Sequence, residues 1–243
     1  MLEFYRSEAP SDCVFIHGAG GNSLLWKRTL KGLSGEGAAY AVDLPGHPSG
    51  AIACRSVGEY SEAVHRFMGE AGLARSAVCG HSMGSAIALS LAIDHPDEVQ
   101  ALILVDGGAK LGVSPGILDG LSSQPLRAIE ELITPMSFHR VGLELGRDAR
   151  AALSLSNLAV FLNDYRACDA FDVRDRLGEI AARTLVICGE SDMMTPPRYS
   201  QFLKDRIPNS SLQLISEAGH MVPLERPAEL ARSIQTFLAG LSP

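Results

Sequence analysis

The stretch Ser76–Ser90, SAVCGHSMGSAIALS, constrains this chain more than any other. An apolar run, Ala77-Val78-Cys79, stops at Gly80. His81, Ser82, Met83 and Gly84 follow, and then a long segment of small apolar residues. This pattern predicts a strand, a sharp turn and a helix, with a serine at the apex. Side chains at positions 80 and 84 would collide in so tight a turn, and glycine removes them. The helix that opens after Ser82 points its free amides and positive dipole end at whatever reacts there. Gly80-x-Ser82-x-Gly84 therefore fits a nucleophile elbow. The competing reading is a glycine-flanked serine that merely caps an ordinary helix.

At 243 residues the chain can bury one large core, and a single α/β domain with an insertion is the natural size. Its hydrophobic content of 46% and charged content of 20% are those of a soluble globular protein. A formal net charge of −7, with no basic run, argues against nucleic acid and anionic membranes as partners. The five cysteines are odd in number and widely spaced. Cys13, Cys79 and Cys188 lie in apolar runs, where a reduced thiol packs as a small hydrophobe. The absence of C-x-x-C argues against a disulfide framework and a zinc site, and no metal or cofactor is expected. The N-terminal MLEFYRSEAP lacks the apolar core of a signal peptide, and no apolar run approaches a membrane span. A cytoplasmic protein is the expectation, monomeric or homodimeric, with a small molecule as its partner.

Taken in order, the chain alternates strand and helix. A short edge strand is expected over Leu2–Arg6, and Cys13-Val14-Phe15-Ile16 reads as a strand buried on both faces. It ends in His17-Gly18-Ala19-Gly20-Gly21, and a helix is expected from about Ser23 to Leu33. Such a loop can be a dinucleotide fingerprint, with Asp43 as the acidic residue downstream, but Ser23 occupies the third glycine position. The other use is a loop that holds an oxyanion beside a nucleophile elbow, and Gly80–Gly84 favours it. His17 is expected to brace this loop. Asp43 and His47, in the turn-rich segment after the strand Ala38–Val42, are read as structural, Asp43 capping the turn. Val57–Gly72 has helical spacing, and Ala101–Val105 is an apolar strand ending at Asp106.

From about 110 to 178 strand-like runs vanish, and Pro115, Pro125 and Pro135 divide the segment into short helical pieces. Large side chains gather there, among them Met136, Phe138, Phe161 and Tyr165. So long a connection is read as an inserted helical cap, 110–178, on a core formed by 1–109 and 179–243. Alternation resumes with the strand Thr184–Cys188, then Gly189-Glu190-Ser191-Asp192, the strand Ser211–Ile215 and Ala218-Gly219-His220.

Alternating strands and helices imply a parallel sheet with right-handed crossovers, and in such sheets the site lies beyond the carboxyl ends of the strands. Ser82, Asp192, His220 and the loop 17–21 all fall there. With HGAGG at 17–21, DLPGH at 43–47, GHSMG at 80–84, GESD at 189–192 and AGH at 218–220, the chain resembles the α/β-hydrolase family over nearly its whole length. The resemblance implies a mostly parallel α/β-hydrolase sheet of about seven strands flanked by helices, the short N-terminus having room for one strand fewer than the usual eight.

The resemblance also implies roles. Ser82 would attack an acyl carbon, His220 would act as base and then acid, and Asp192 would orient the imidazole. The backbone amides of Ala19 and Met83 would form the oxyanion hole. Asp106 is a rival acid, because it too ends a strand; GESD followed by prolines favours Asp192. Met136, Phe138, Phe161, Tyr165, Met193 and Met221 are the expected pocket residues, and their apolar character implies an apolar acyl or alcohol group. The cap cations Arg127, Arg140, Arg147, Arg150, Arg166, Arg174 and Arg176 read mostly as solvated faces. The expected function is hydrolysis of small to medium esters or thioesters. C–C bond hydrolysis or a lyase reaction, perhydrolysis and ligand reception by a hydrolase-like receptor that keeps the triad are the alternatives within the same family.

Overall fold

The computed structural model describes residues 2–48, 50–140 and 157–241. Strands β1 (Phe4–Ala9), β2 (Cys13–Ile16), β3 (Gly37–Val42), β4 (Ser76–His81), β5 (Val99–Val105), β6 (Arg183–Gly189) and β7 (Ser210–Ile215) form one sheet in the order β1-β3-β2-β4-β5-β6-β7. Only β1 runs antiparallel. It lies at Phe4–Ala9 rather than at the expected Leu2–Arg6, because it pairs along the whole of β3, from Phe4 opposite Val42 to Ala9 opposite Gly37. The central β2 and β4 are buried at every residue, which explains their unbroken apolar runs.

Alternate side chains feed two cores. Val14, Ile16, Val78, Leu102, Leu104 and Val186 face the helices α2 (Val57–Glu70) and α3 (Met83–Asp94). Phe15, Cys79, Ile103 and Ile187 face Trp26, Leu30, Ile234 and Phe237 on the opposite side. Every residue of α3 from Met83 to Ile93 is buried, so the helix is apolar all round and shows no amphipathic stripe. The helix expected over Ser23–Leu33 is shorter. It begins as a 3-10 turn at Ser23–Trp26, where Asn22 Oδ1 accepts the Leu24 N–H at 3.0 Å, and continues as α1 (Lys27–Leu30).

Between β5 and β6 the chain leaves the sheet. It forms α4 (Pro115–Ser123), α5 (Pro125–Ala128), a π-helical turn at Ile129–Ile133, α6 (Thr134–Ser137) and α7 (Leu158–Asp169). Ile117, Leu121, Ile129, Ile133, Phe161 and Tyr165 close on one another as a small separate core. The two ends of the excursion meet, with Lys110 bridged to Asp172 and the Val173 N–H donating to Ala109 C=O at 2.8 Å. Arg147 and Arg150 lie outside the described residues. No described helix is long and apolar enough to cross a membrane.

The packing of α3 makes one glycine testable against another. A Cβ on Gly84 would sit 2.3 Å from the Ile16 carbonyl oxygen and 2.7 Å from that of His17, whereas one on Gly69, in α2, meets nothing within 4 Å. Gly84→Ala should cost ~3 kcal/mol or more, which at this chain length lowers Tm by roughly 6 °C or more. Gly69→Ala should leave Tm unchanged or raise it slightly, because alanine is the better helix former by ~1 kcal/mol. Differential scanning calorimetry of the two variants reads the contrast directly.

Candidate active site

Ser82 stands between the end of β4 and the start of α3 with φ 54° and ψ −117°, a left-handed conformation rare for a residue with a side chain. Its neighbours leave it no alternative. The Ser82 N–H donates to Val105 C=O at 2.9 Å, and its own C=O accepts the Ser85 N–H at 2.9 Å. Of the two flanking glycines, only Gly84 departs from the simple expectation. A Cβ on Gly80 would indeed collide across the turn, 2.0 Å from the Gly84 carbonyl oxygen, but a Cβ on Gly84 would strike the carbonyls at the end of β2. The serine hydroxyl is thereby lifted off the sheet edge.

His220, after β7, reaches it. His220 Nε2 lies 2.9 Å from Ser82 Oγ, and Nδ1 lies 2.9 Å from Asp192 Oδ2. Asp192 Oδ1 also accepts the N–H groups of Met194 and Thr195, at 2.8 and 2.9 Å. Burial by itself would raise the Asp192 pKa; the facing His220 and the hydrogen bonds from His220 and Thr195 outweigh it and hold the carboxylate at about 2. Thr195 was not singled out in the sequence. Its Oγ1 is 2.7 Å from Asp192 Oδ2 and 2.9 Å from Asp106 C=O, and its single proton serves one of them at a time. The Asp-x-x-Thr spacing of a side-chain-capped turn was the available signal.

Asp106, the rival acid, lies deeper. It is fully buried, and its oxygens accept the N–H groups of Gly189 at 2.9 Å and Val222 at 3.3 Å. Its nearest ion-pairing distance to a histidine is 3.8 Å, to His81 rather than His220. Burial, and then the charge of Asp192, pushes its carboxyl well above the usual carboxylate range. His81 donates from Nε2 to His220 C=O at 2.8 Å, and burial, then His220, lowers it to about 3. It is a neutral spacer that holds the backbone of His220.

The loop 17–21 curls over the serine. The Leu44 N–H donates to His17 Nε2 at 3.1 Å, which leaves Nδ1 as the protonated nitrogen, donating to Gly18 C=O at 2.8 Å. Burial keeps this ring well below its ordinary pKa, so His17 braces the loop as a neutral group. Asp43 braces it as well: it accepts the N–H and hydroxyl of Ser23, rather than capping its own turn. A dinucleotide role for Asp43 has no support here, since both its oxygens are engaged on that loop. The N–H groups of Gly20, Gly21 and Ser82 are already bonded, to Asp164, Gly18 and Val105. Met83 is the first residue of α3, whose N–H has no intrahelical partner, and Ala19 lines the space above Ser82.

A model of the alpha/beta hydrolase family matches residues 13–233, nearly the whole chain. The chain belongs to the alpha/beta hydrolase family. Among solved structures it is similar to a thermophilic esterase at 32% identity, with a TM-score of 0.84 and all of both chains covered. It is also similar to the pimeloyl-[acyl-carrier protein] methyl ester esterase of Citrobacter koseri, at 25% identity over 96% of this chain and 97% of that one. A third relative is the dihydrolipoyllysine-residue acetyltransferase component of the acetoin cleaving system of Cupriavidus necator. It is 28% identical over 93% of this chain, which spans only 63% of that longer protein.

In this hydrolase a cavity of about 220 Å³ lies over Ser82 and His220, roofed by the excursion between β5 and β6. Met136, Phe138, Phe161, Tyr165 and Met221 line it as expected. Met193 does not: it is 62% exposed, and Met194 takes its place. The reason is the Asp192 turn, which draws the amides of Met194 and Thr195 inward and leaves Met193 on the outside. The described lining contains no Lys or Arg. Arg127, Arg174 and Arg176 are paired with Glu131, Asp172 and Glu179 on exposed faces.

Among the described residues, two groups of side chains bring three potential metal ligands within 4.8 Å of one another. In the buried group, Asp106, Cys188 and Asp192, the carboxylates are taken by N–H donors and burial pushes the thiol far up. In the surface group, His95 is paired with Glu62, and His65 with Glu98.

The geometry separates the two acids by experiment. Asp192→Asn should lose roughly 10³ to 10⁴ in the turnover of a nitrophenyl ester, because the histidine is held in the wrong tautomer. Asp106→Asn should lose no more than about tenfold, its contact with His220 being indirect. Steady-state kinetics on folded variants checks this, and the reverse ranking would move the acid to Asp106.

Proposed function

We propose that this enzyme is a serine carboxylesterase that cleaves neutral esters, or thioesters, of short to medium acyl chains through an acyl-enzyme on Ser82. The observation that carries the reading is the bridge of His220 between Ser82 Oγ and Asp192, 2.9 Å to each, on the floor of an apolar cavity. A serine hydroxyl is a weak nucleophile until a base takes its proton. His220 Nε2 takes it as Oγ attacks the acyl carbon. Asp192, ionised, fixes the proton on Nδ1 and faces the imidazolium that forms. The negative oxygen of the tetrahedral intermediate is received by the Ala19 and Met83 amides, assisted by the α3 dipole. His220 then protonates the leaving alcohol, and the ester C–O bond breaks. Water, deprotonated by the same histidine, attacks the acyl-enzyme and releases the acid.

The relatives named as esterases support hydrolysis of an ester, and the cavity lining supports an apolar acyl group. Each buried methylene gains about 0.8 kcal/mol, or roughly fourfold in kcat/KM per carbon until the cavity is full. A carboxylate entering the same space would lose its hydration and meet no cation among the described lining residues.

Three results are expected. Ser82→Ala should lower ester turnover by roughly 10⁴-fold or more with folding intact. Mass spectrometry after an organophosphate should place the adduct on Ser82, and labelling at another serine would sink the assignment. A butanoyl ester should exceed the matching hemisuccinate in kcat/KM; the opposite preference would mean that a cation reaches the cavity. An acyl-enzyme that forms but does not turn over would favour a receptor.

A further inference from the structure

Asp164 sits in α7, in the excursion that roofs the cavity, and its side chain is fully buried. Three donors from three other parts of the chain converge on it. The Gly20 N–H reaches Oδ2 at 2.8 Å, His47 Nε2 reaches the same oxygen at 2.8 Å, and Tyr60 OH reaches Oδ1 at 2.7 Å. One turn earlier on the same helix, the Phe161 ring lies against Gly20, so close that a Cβ there would fall 2.0 Å from a ring carbon. Gly20 has φ +63°, a conformation that glycine adopts freely. The helix thus grips one residue of the loop by its N–H and by its α-carbon.

That residue follows Ala19, whose amide is the proposed oxyanion donor. The Gly18–Ala19 peptide is fixed at its carbonyl, which accepts from His17 Nδ1 at 2.8 Å and from the Gly21 N–H at 3.0 Å. In a trans peptide the N–H points opposite to the C=O, so this bracing turns the Ala19 N–H away from His17. The next peptide, Ala19–Gly20, is fixed at its N–H by Asp164. With the planes on both sides of Ala19 set, its φ and ψ are set too. The same helix also holds the loop after β3, since Asn163 Nδ2 donates to Cys54 C=O at 2.8 Å and Asn157 Nδ2 to Gly50 C=O.

We infer that Asp164 is a positioning residue for the oxyanion hole, so that the roof of the cavity and the oxyanion loop move as one body. This rests on the serine-hydrolase reading given above, with Asp164 acting through Ala19 and touching no substrate. Asparagine in its place can still accept from Gly20 while its amide donates to the Tyr60 oxygen; alanine can do neither.

Two measurements test it. In the unaltered protein, amide hydrogen exchange followed by NMR should find the Gly20 N–H as slow as amides of the central strands. Exchange as fast as that of exposed loops would overturn the clamp, whether or not the protein cleaves esters. In the second, Asp164→Ala should lower kcat for a nitrophenyl butanoate by roughly 10² to 10³-fold, the loss expected when one oxyanion donor is displaced, with KM changed less than about threefold. Asp164→Asn should recover kcat to within about tenfold of the unaltered enzyme. A folded Asp164→Ala that keeps its kcat, or that changes KM alone, would show a residue that only packs the roof, and the inference would fall. If Asp164→Ala does not fold, the exchange rate and the Asp164→Asn kcat decide: an Asn variant at or below a hundredth of the original kcat would also overturn it. An absence of turnover in the unaltered enzyme would sink the esterase reading, while the Gly20 exchange rate would still judge the clamp.

Discussion

Ser82 is held in a left-handed conformation that costs ~1–3 kcal/mol, and most of the surrounding structure acts to keep it there. β4 is paired on both sides and buried throughout, so the chain enters the turn along a fixed line. α3 leaves it wedged under the carbonyls at the end of β2, a distance only glycine at position 84 permits. The seryl oxygen therefore projects at the sheet edge, where the loops after β2, β6 and β7 also arrive. A parallel sheet brings those four loops together because its strands all end on the same side.

The site's electrostatics follow from how many donors each buried group finds. Asp192 and Asp106 are both carboxyls, both buried, and close to one another. Asp192 receives backbone N–H groups, a hydroxyl and the imidazole, which together overcome the cost of burial. Asp106 receives two N–H groups and faces the charge of its neighbour, so its ionised form is disfavoured. His17 and His81 are held neutral by burial; His17 spends both ring nitrogens on backbone, and His81 spends Nε2 on the His220 carbonyl. The result is one ionised carboxylate next to the proposed base, surrounded by neutral braces.

The segment above the cavity is joined to the core by buried polar contacts as well as by apolar packing. Asp164, buried with His47 and Tyr60, has both carboxylate oxygens hydrogen-bonded. Removing one partner from such a cluster leaves the others buried and unbonded, which is costly. That makes α7 the fixed part of the roof.

Much of this was legible in the sequence because the signals are local. The alternation of apolar runs and helical spacing fixes a parallel sheet, and Gly80-x-Ser82-x-Gly84 fixes a turn, since both depend on residues a few positions apart. The positions of Asp192 and His220 after strand ends were readable for the same reason. Tertiary structure alone decided the rest. It seated Asp192 against His220 and left Asp106 deeper, nearest to His81. It exchanged Met193 for Met194, because a one-residue difference in a turn reverses which side chain points inward. It also turned His47 and Asp164, which lie 117 positions apart, into one bonded cluster. No spacing encodes such a contact: it exists only after the sheet has formed and the helices of the roof have closed over it.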